Sequence, residues 1–179
     1  MDKLKLSQVG CELIQHYESL HDGDLTEIGL QAKMDPIGIW TVGWGHALIY
    51  KGKFLKGLQN KEIAYAAYPN MGIDEANKLF LKDAKIREDQ VNNLGIELSQ
   101  NEFDALVSFV FNCGIGTLRN SILLPRIIAR KNKEAVSDDM IHDAFLRHNR
   151  GSGKILLGLT YRRKTESELF INNKLTFFN

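Results

Sequence analysis

Cysteine is scarce in this chain: Cys11 and Cys113 are the two in 179 residues. They stand far apart inside helical patterns, which predicts two small buried side chains in a reduced cytosolic protein. Pairing between them would depend on geometry that spacing does not give. The Cys and His spacing fits no zinc motif. An excess of charge is missing as well. Lys plus Arg number 23 and Asp plus Glu 22, for a net charge of +1. A dedicated nucleic-acid binder would carry a clear basic surplus. Long apolar runs are absent: none approaches the roughly 20 residues that span a bilayer, so no membrane insertion is expected. The opening residues Met1 to Leu6 are short and mixed, and no signal peptide is expected. The chain shows no internal repeat and no low-complexity tract.

What is present suits one domain, 1–179, made of two lobes. Hydrophobic residues are 44%, enough for a substantial core. Ser7 is a good N-cap, and Val9, Leu13 and Tyr17 follow at helical spacing. This helix should end near Leu20, leaving Glu18 in its last turn. The negative end of the helix dipole lies there, a mildly unfavourable place for a carboxylate. From Asp22 to about Tyr50 glycines recur and β-branched residues alternate with small ones. Ala32 to Met34 and Ile39 to Val42 read as strands around an Asp35-Pro36-Ile37-Gly38 turn. Lys51 to Asn70 is ambiguous, with a short helix through Glu62 to Ala67.

Helices dominate the rest. They are expected over Asp74 to Val91, from a Ser99–Glu102 capping box through Phe111, and over Ser121 to Arg130, Ser137 to Asn149 and Gly158 to Ile171. Phe103, Leu106, Val107, Val110 and Phe111 form a core stripe. Gly151-Ser152-Gly153 reads as a flexible connection. The class is α+β: a small β-containing lobe at about 20–70, a larger helical lobe from 1–19 plus 71–179, and a cleft between them for an extended substrate.

One segment concentrates chemistry: Asp35-Pro36-Ile37-Gly38-Ile39-Trp40-Thr41-Val42-Gly43-Trp44-Gly45-His46. Singly its residues are ordinary. Asp35 suits an Asx-turn, Thr41 is a good strand residue, and His46 suits a hydrogen-bonded structural role. Together with Glu18 they supply two carboxylates and a hydroxyl, the minimum for glycoside hydrolysis.

This constellation resembles the phage-type lysozymes, or endolysins, of glycoside hydrolase family 24. Their hallmark is a Glu ending the first helix, then D-x-x-G-x-x-T-x-G-[YW]-G-H. The resemblance continues through Ser99-Gln100-Asn101-Glu102-Phe103-Asp104-Ala105-Leu106-Val107-Ser108-Phe109-Val110-Phe111-Asn112-Cys113-Gly114 and through Gly158-Leu159-Thr160-Tyr161-Arg162-Arg163-Lys164-Thr165-Glu166. It implies a lysozyme-like fold, peptidoglycan strands as substrate, and no cofactor. On the matching positions it implies Glu18 as general acid, Asp35 as the carboxylate on the sugar's far face, and Thr41 as the hydroxyl that helps place water. It also implies a monomer that stays in the host cytoplasm until a separate pore-forming protein opens the membrane. An Arg of the last segment would pair with Glu18 or join a surface ion-pair network. His46 and Asn112 are expected to buttress walls.

Two departures stand out. The Glu-to-Asp interval is about eight positions longer than the family's, and residues 22–27 are expected to form a longer hairpin or a cleft lip. They add rival carboxylates Asp22, Asp24 and Glu27, and Ser19 replaces a glycine. The segment 50–68 is also long and carries Lys51, Lys53, Lys56 and Lys61, which suit acidic wall polymers or simple solvation. Two other readings remain: a lytic transglycosylase using Glu18 alone, and a catalytically silent wall-binding protein.

Overall fold

The computed structural model describes residues 3–18, 20, 30–35, 37–69, 71–151 and 153–179. The expected hairpin or lip at 22–27, with its carboxylates, and Ser19 lie outside the described residues. Two compact units divide the chain: Met1–Tyr17 with Ala84–Asn179, and Glu18–Asp83.

The second unit carries the sheet. Strands β1 (Lys33–Met34), β2 (Trp40–Val42) and β3 (His46–Ala47) form an antiparallel meander in that order. Lys33 pairs with Thr41 and Met34 with Trp40. Thr41 also pairs with Ala47, and Val42 with His46. A second ribbon follows, β4 (Ile49–Tyr50) and β5 (Lys53–Phe54). Its two-residue turn has both φ angles positive, 49° at Lys51 and 75° at Gly52. That backbone matches the twist of a tight hairpin, and Gly52 takes it without a Cβ penalty. A 3₁₀ turn (Leu58–Asn60) and helix α2 (Lys61–Ala67) close the segment. Leu30, Ala32, Trp40, Val42, Leu48, Leu55, Ala64, Met71 and Ala76 form this unit's core. The Trp40 indole N–H donates to the Gly57 carbonyl at 2.9 Å, so its buried polar atom is satisfied.

Helix α1 (Gln8–Glu18) opens the chain, and α3 (Ile73–Asn92) crosses the boundary at Asp83 and Ala84. The other unit contains α4 (Gln100–Cys113), α5 (Ile115–Arg119), α6 (Leu123–Lys131), α7 (Asp138–Leu146) and α8 (Leu157–Asn172). The capping box at Ser99 and Glu102 forms as read, and Ser137 caps α7 through the Met140 N–H. Helix α4 is buried from Glu102 through Val110 and packs on α8. Phe103, Leu106, Val107 and Val110 are core, while Phe111 is half-buried.

Three expectations need correcting. Gly114 ends α4 but also starts α5, so a helix stands where a loop was expected. Arg150–Gly151 (β6) and Lys154–Ile155 (β7) pair as a hairpin around the supposed flexible connection. The ambiguous stretch after Tyr50 holds a second hairpin.

Candidate active site

Helix α1 is anchored within its own unit. Leu13 and Ile14 are fully buried, and the Ser7 hydroxyl accepts from the Gly10 N–H at 3.3 Å. The Asp104 carboxylate accepts the Ser7 N–H at 3.0 Å and also its hydroxyl. Glu18, the last helical residue, is half-buried. Its Oε2 lies against the α-carbon of Gly45: a Cβ built there would stand 3.0 Å away. Gly45 has φ +82°, a conformation L side chains rarely adopt. The backbone shape therefore favours glycine, and a side chain there would press on the Glu18 carboxylate. Sequence reading noticed the Gly-Trp-Gly-His string but gave Gly45 no role.

Asp35 sits at the turn between β1 and β2. Its Oδ1 accepts the N–H groups of Ile37 at 2.9 Å and Ile39 at 2.8 Å. Its N–H donates to the Ile39 carbonyl at 2.7 Å, and its carbonyl accepts from Gly38 at 3.0 Å. The Asx-turn reading of Asp35 is thus realised. Oδ2 has no hydrogen-bond partner among the described residues.

Thr41 is buried in β2, and its hydroxyl donates to the Lys33 carbonyl at 3.2 Å. The ladder continues past Met34 and Trp40 to Asp35 opposite Ile39. Directly opposed residues share a face, and the face repeats every second residue. Asp35 and Thr41 are therefore diagonal neighbours on one face of the hairpin, a relation of roughly 7–8 Å between α-carbons.

The loop after β2 is braced from α3. A Cβ on Gly43 would stand 3.1 Å from that of Ala76. Trp44 donates its indole N–H to Asn77 Oδ1 at 2.8 Å, and His46 Nδ1 meets Asp83 Oδ2 at 2.8 Å. The His46 ring also stands edge-on to Tyr68. These contacts match the buttressing role expected of His46. A cavity of about 260 Å³ lies beside it, lined in part by Leu48, Tyr50, Ile63 and Tyr68. Burial, then Glu75 and Asp83, push the Tyr68 phenol above its ordinary range. Asn112 is exposed at the end of α4.

Arg162, Arg163 and Glu166 are not surface residues: each is at most 2% exposed. Arg163 Nη2 donates to Glu166 Oε1 at 2.8 Å, and its Nε faces Oε2 at 2.8 Å as an ion pair without hydrogen-bond alignment. Arg162 Nε and the Ser108 hydroxyl also donate to Glu166 Oε1. Arg163 lies over the Phe109 ring at 4.9 Å. This network ties α4 to α8 and corrects the expectation of solvated pairs. Nearby, burial raises the Cys113 thiol above its ordinary range against the opposing pull of Arg163. Both cysteines are free. Among the described residues no three His, Cys, Asp or Glu side chains gather as metal ligands.

A family model described as phage lysozyme matches residues 26–166. The endolysin of Salmonella phage P22 is 31% identical over 144 residues, covering 80% of this chain and 87% of the relative. The endolysin of Bacillus phage B103 is 29% identical over 174 residues, or 96% of this chain. The chain spans 56% of that relative's length. Among solved structures, the endolysin from Escherichia coli O157:H7 phage FAHEc1 aligns over 98% of each chain, with TM-score 0.69 and 25% identity. These likenesses, with an α+β fold, lead to one conclusion: the chain belongs to the phage lysozyme family.

Proposed function

We propose that this protein is a peptidoglycan hydrolase cleaving the β-1,4 bond between N-acetylmuramic acid and N-acetylglucosamine. Glu18 is the general acid and protonates the glycosidic oxygen. Asp35 is the ionised partner on the opposite face of the sugar, and Thr41 helps place the attacking water. Oδ1 of Asp35 is committed to the turn, so the second oxygen serves as base. A water between Asp35 and the sugar gives inversion and a carboxyl separation of roughly 6.5–9.5 Å.

The carrying observation is the seat of Glu18. Its carboxylate rests close to a glycine at positive φ, where an added Cβ would stand 3.0 Å from Oε2. An acid must keep its proton within hydrogen-bond reach of the leaving oxygen, and a Cβ-free wall lets a sugar approach that closely. The names of the relatives support the reading: those above are called endolysins. In this reading the enzyme acts as a monomer and without a cofactor. It waits in the host cytoplasm until a separate pore-forming protein opens the membrane.

Mass analysis of peptidoglycan digested by the purified protein tests it. Hydrolysis leaves reducing N-acetylmuramic acid ends. Anhydromuramic ends would mean a transglycosylase acting through Glu18 alone, and no released fragment would mean a wall-binding protein.

A further inference from the structure

The outward face of the β4–β5 ribbon carries the wrong chemistry for water. Leu48 and Leu55 are buried on its inner side. Alternation then turns Ile49 and Phe54 outward, and they are direct cross-strand partners. Ile49 is 65% exposed and Phe54 56%. A solvent-facing strand position is normally polar, and an opposed aliphatic–aromatic pair there marks a contact surface. Tyr50 is exposed on the same ribbon. Leu58 in the 3₁₀ turn and Ile37 in the β1–β2 turn are each 70% exposed. Those two turns are joined by the Gly57 N–H donating to the Gly38 carbonyl at 3.0 Å.

Charge is segregated on the same segment. Between Asp35 and Glu62 the sequence holds no acidic residue, but it holds Lys51, Lys53, Lys56 and Lys61. In a chain whose net charge is only +1, this is a concentrated positive segment. Lys51 occupies the hairpin tip, with its ammonium 5.2 Å from the Tyr50 ring centre. Lys61 lies likewise over Tyr65. Aromatic and aliphatic side chains flanked by lysines fit the headgroup boundary of a bilayer, where apolar groups enter and ammonium groups stay with phosphates. A soluble polyanion would use the lysines but gives no reason for exposed Ile49, Phe54, Leu58 and Ile37.

We propose that residues 49–61 form a peripheral docking surface for anionic phospholipid bilayers, with Ile49 and Phe54 as the wedge and the four lysines as the headgroup contacts. The binding is adsorption: no described helix is long and apolar enough to cross a membrane. It holds the protein at a membrane surface independently of any catalytic step.

The test is co-sedimentation of the full chain with vesicles of equal parts phosphatidylglycerol and phosphatidylcholine, against phosphatidylcholine alone. Binding is expected to the first and not the second, and to weaken with salt. Ile49→Ser with Phe54→Ser should weaken it by about tenfold or more, since both apolar groups leave the interface. Lys→Gln at positions 51, 53, 56 and 61 should each weaken it by up to about fivefold. All these positions are solvent-exposed, and unchanged thermal unfolding confirms the fold of each variant. Equal sedimentation with both vesicle types overturns the proposal. So does binding unaffected by the Ile49 and Phe54 changes, or a polyglycerol phosphate that binds as tightly as the vesicles. A concentration-dependent dimer abolished by the same double variant would identify a second copy as the occupant and would also overturn it.

Discussion

The Oε2 of Glu18 lies so close to the Gly45 α-carbon that a methyl group there would stand 3.0 Å from it. Gly45→Ala tests whether this closeness matters. The positive φ alone costs about 1–2 kcal/mol for an L residue, so modest destabilisation is expected. If Glu18 is the acid, displacing its carboxylate should cut turnover by about tenfold to a hundredfold in a protein that still unfolds cooperatively. Full activity in the folded variant would mean that the position of Glu18 is immaterial. Circular-dichroism melts and a turbidity assay on purified walls measure both.

Asp35 has a turn role in plain view, and the two roles separate by substitution. Asparagine keeps the Oδ1 acceptor for the Ile37 and Ile39 N–H groups but loses the charge. Asp35→Asn should therefore fold with near-native stability and lose activity by about 10²-fold or more. Asp35→Ala should lose activity and also about 1–2 kcal/mol of stability, from two lost hydrogen bonds. An active Asp35→Asn would reduce Asp35 to a turn residue. Alanine changes at Asp22, Asp24 and Glu27 should leave turnover intact; an essential residue among them would transfer the second-carboxylate role.

Thr41 and Asp35 share a hairpin face, the arrangement a water-activating pair needs. The first-formed sugar anomer should therefore be α, seen by proton NMR before mutarotation. An initial β product, or a glycosyl ester trapped on Asp35, contradicts a water held between carboxylate and sugar.

The ion pair between Arg163 and Glu166 has no solvent to fall back on. Glu166→Ala should destabilise by about 3–5 kcal/mol, because it leaves a buried guanidinium uncompensated. Denaturant midpoints measure this. A loss below about 1 kcal/mol would place the pair among solvent-screened surface bridges.

The sequence was most readable where patterns run long. Helices α3 and α4 follow from apolar spacing and a capping box. The β1–β2 hairpin follows from its Asp-Pro-Ile-Gly turn. Short ribbons were hidden, because β4, β5, β6 and β7 have two residues each, too few for alternation to register. The β4–β5 turn also places a lysine, not asparagine or aspartate, at a positive φ. Helix α5 is hidden because a glycine after a helix normally marks its end, whereas Gly114 caps two helices. Arg163 and Glu166 were visible as charges, but burial comes from packing on α4, which spacing within α8 does not reveal. For the proposed site, the motif is what nominates Glu18, Asp35 and Thr41. The supporting part of Gly45 needed coordinates, since a missing side chain leaves no mark in composition.

Glu18→Gln offers the most direct test, measured as release of soluble fragments from purified peptidoglycan by a variant shown to be folded. The amide keeps the size and polarity of the side chain but has no proton to deliver. The account predicts a loss of about 10²–10⁴-fold or more. Turnover within a factor of about two of the unaltered protein would contradict it, since general acid catalysis could not then reside on Glu18.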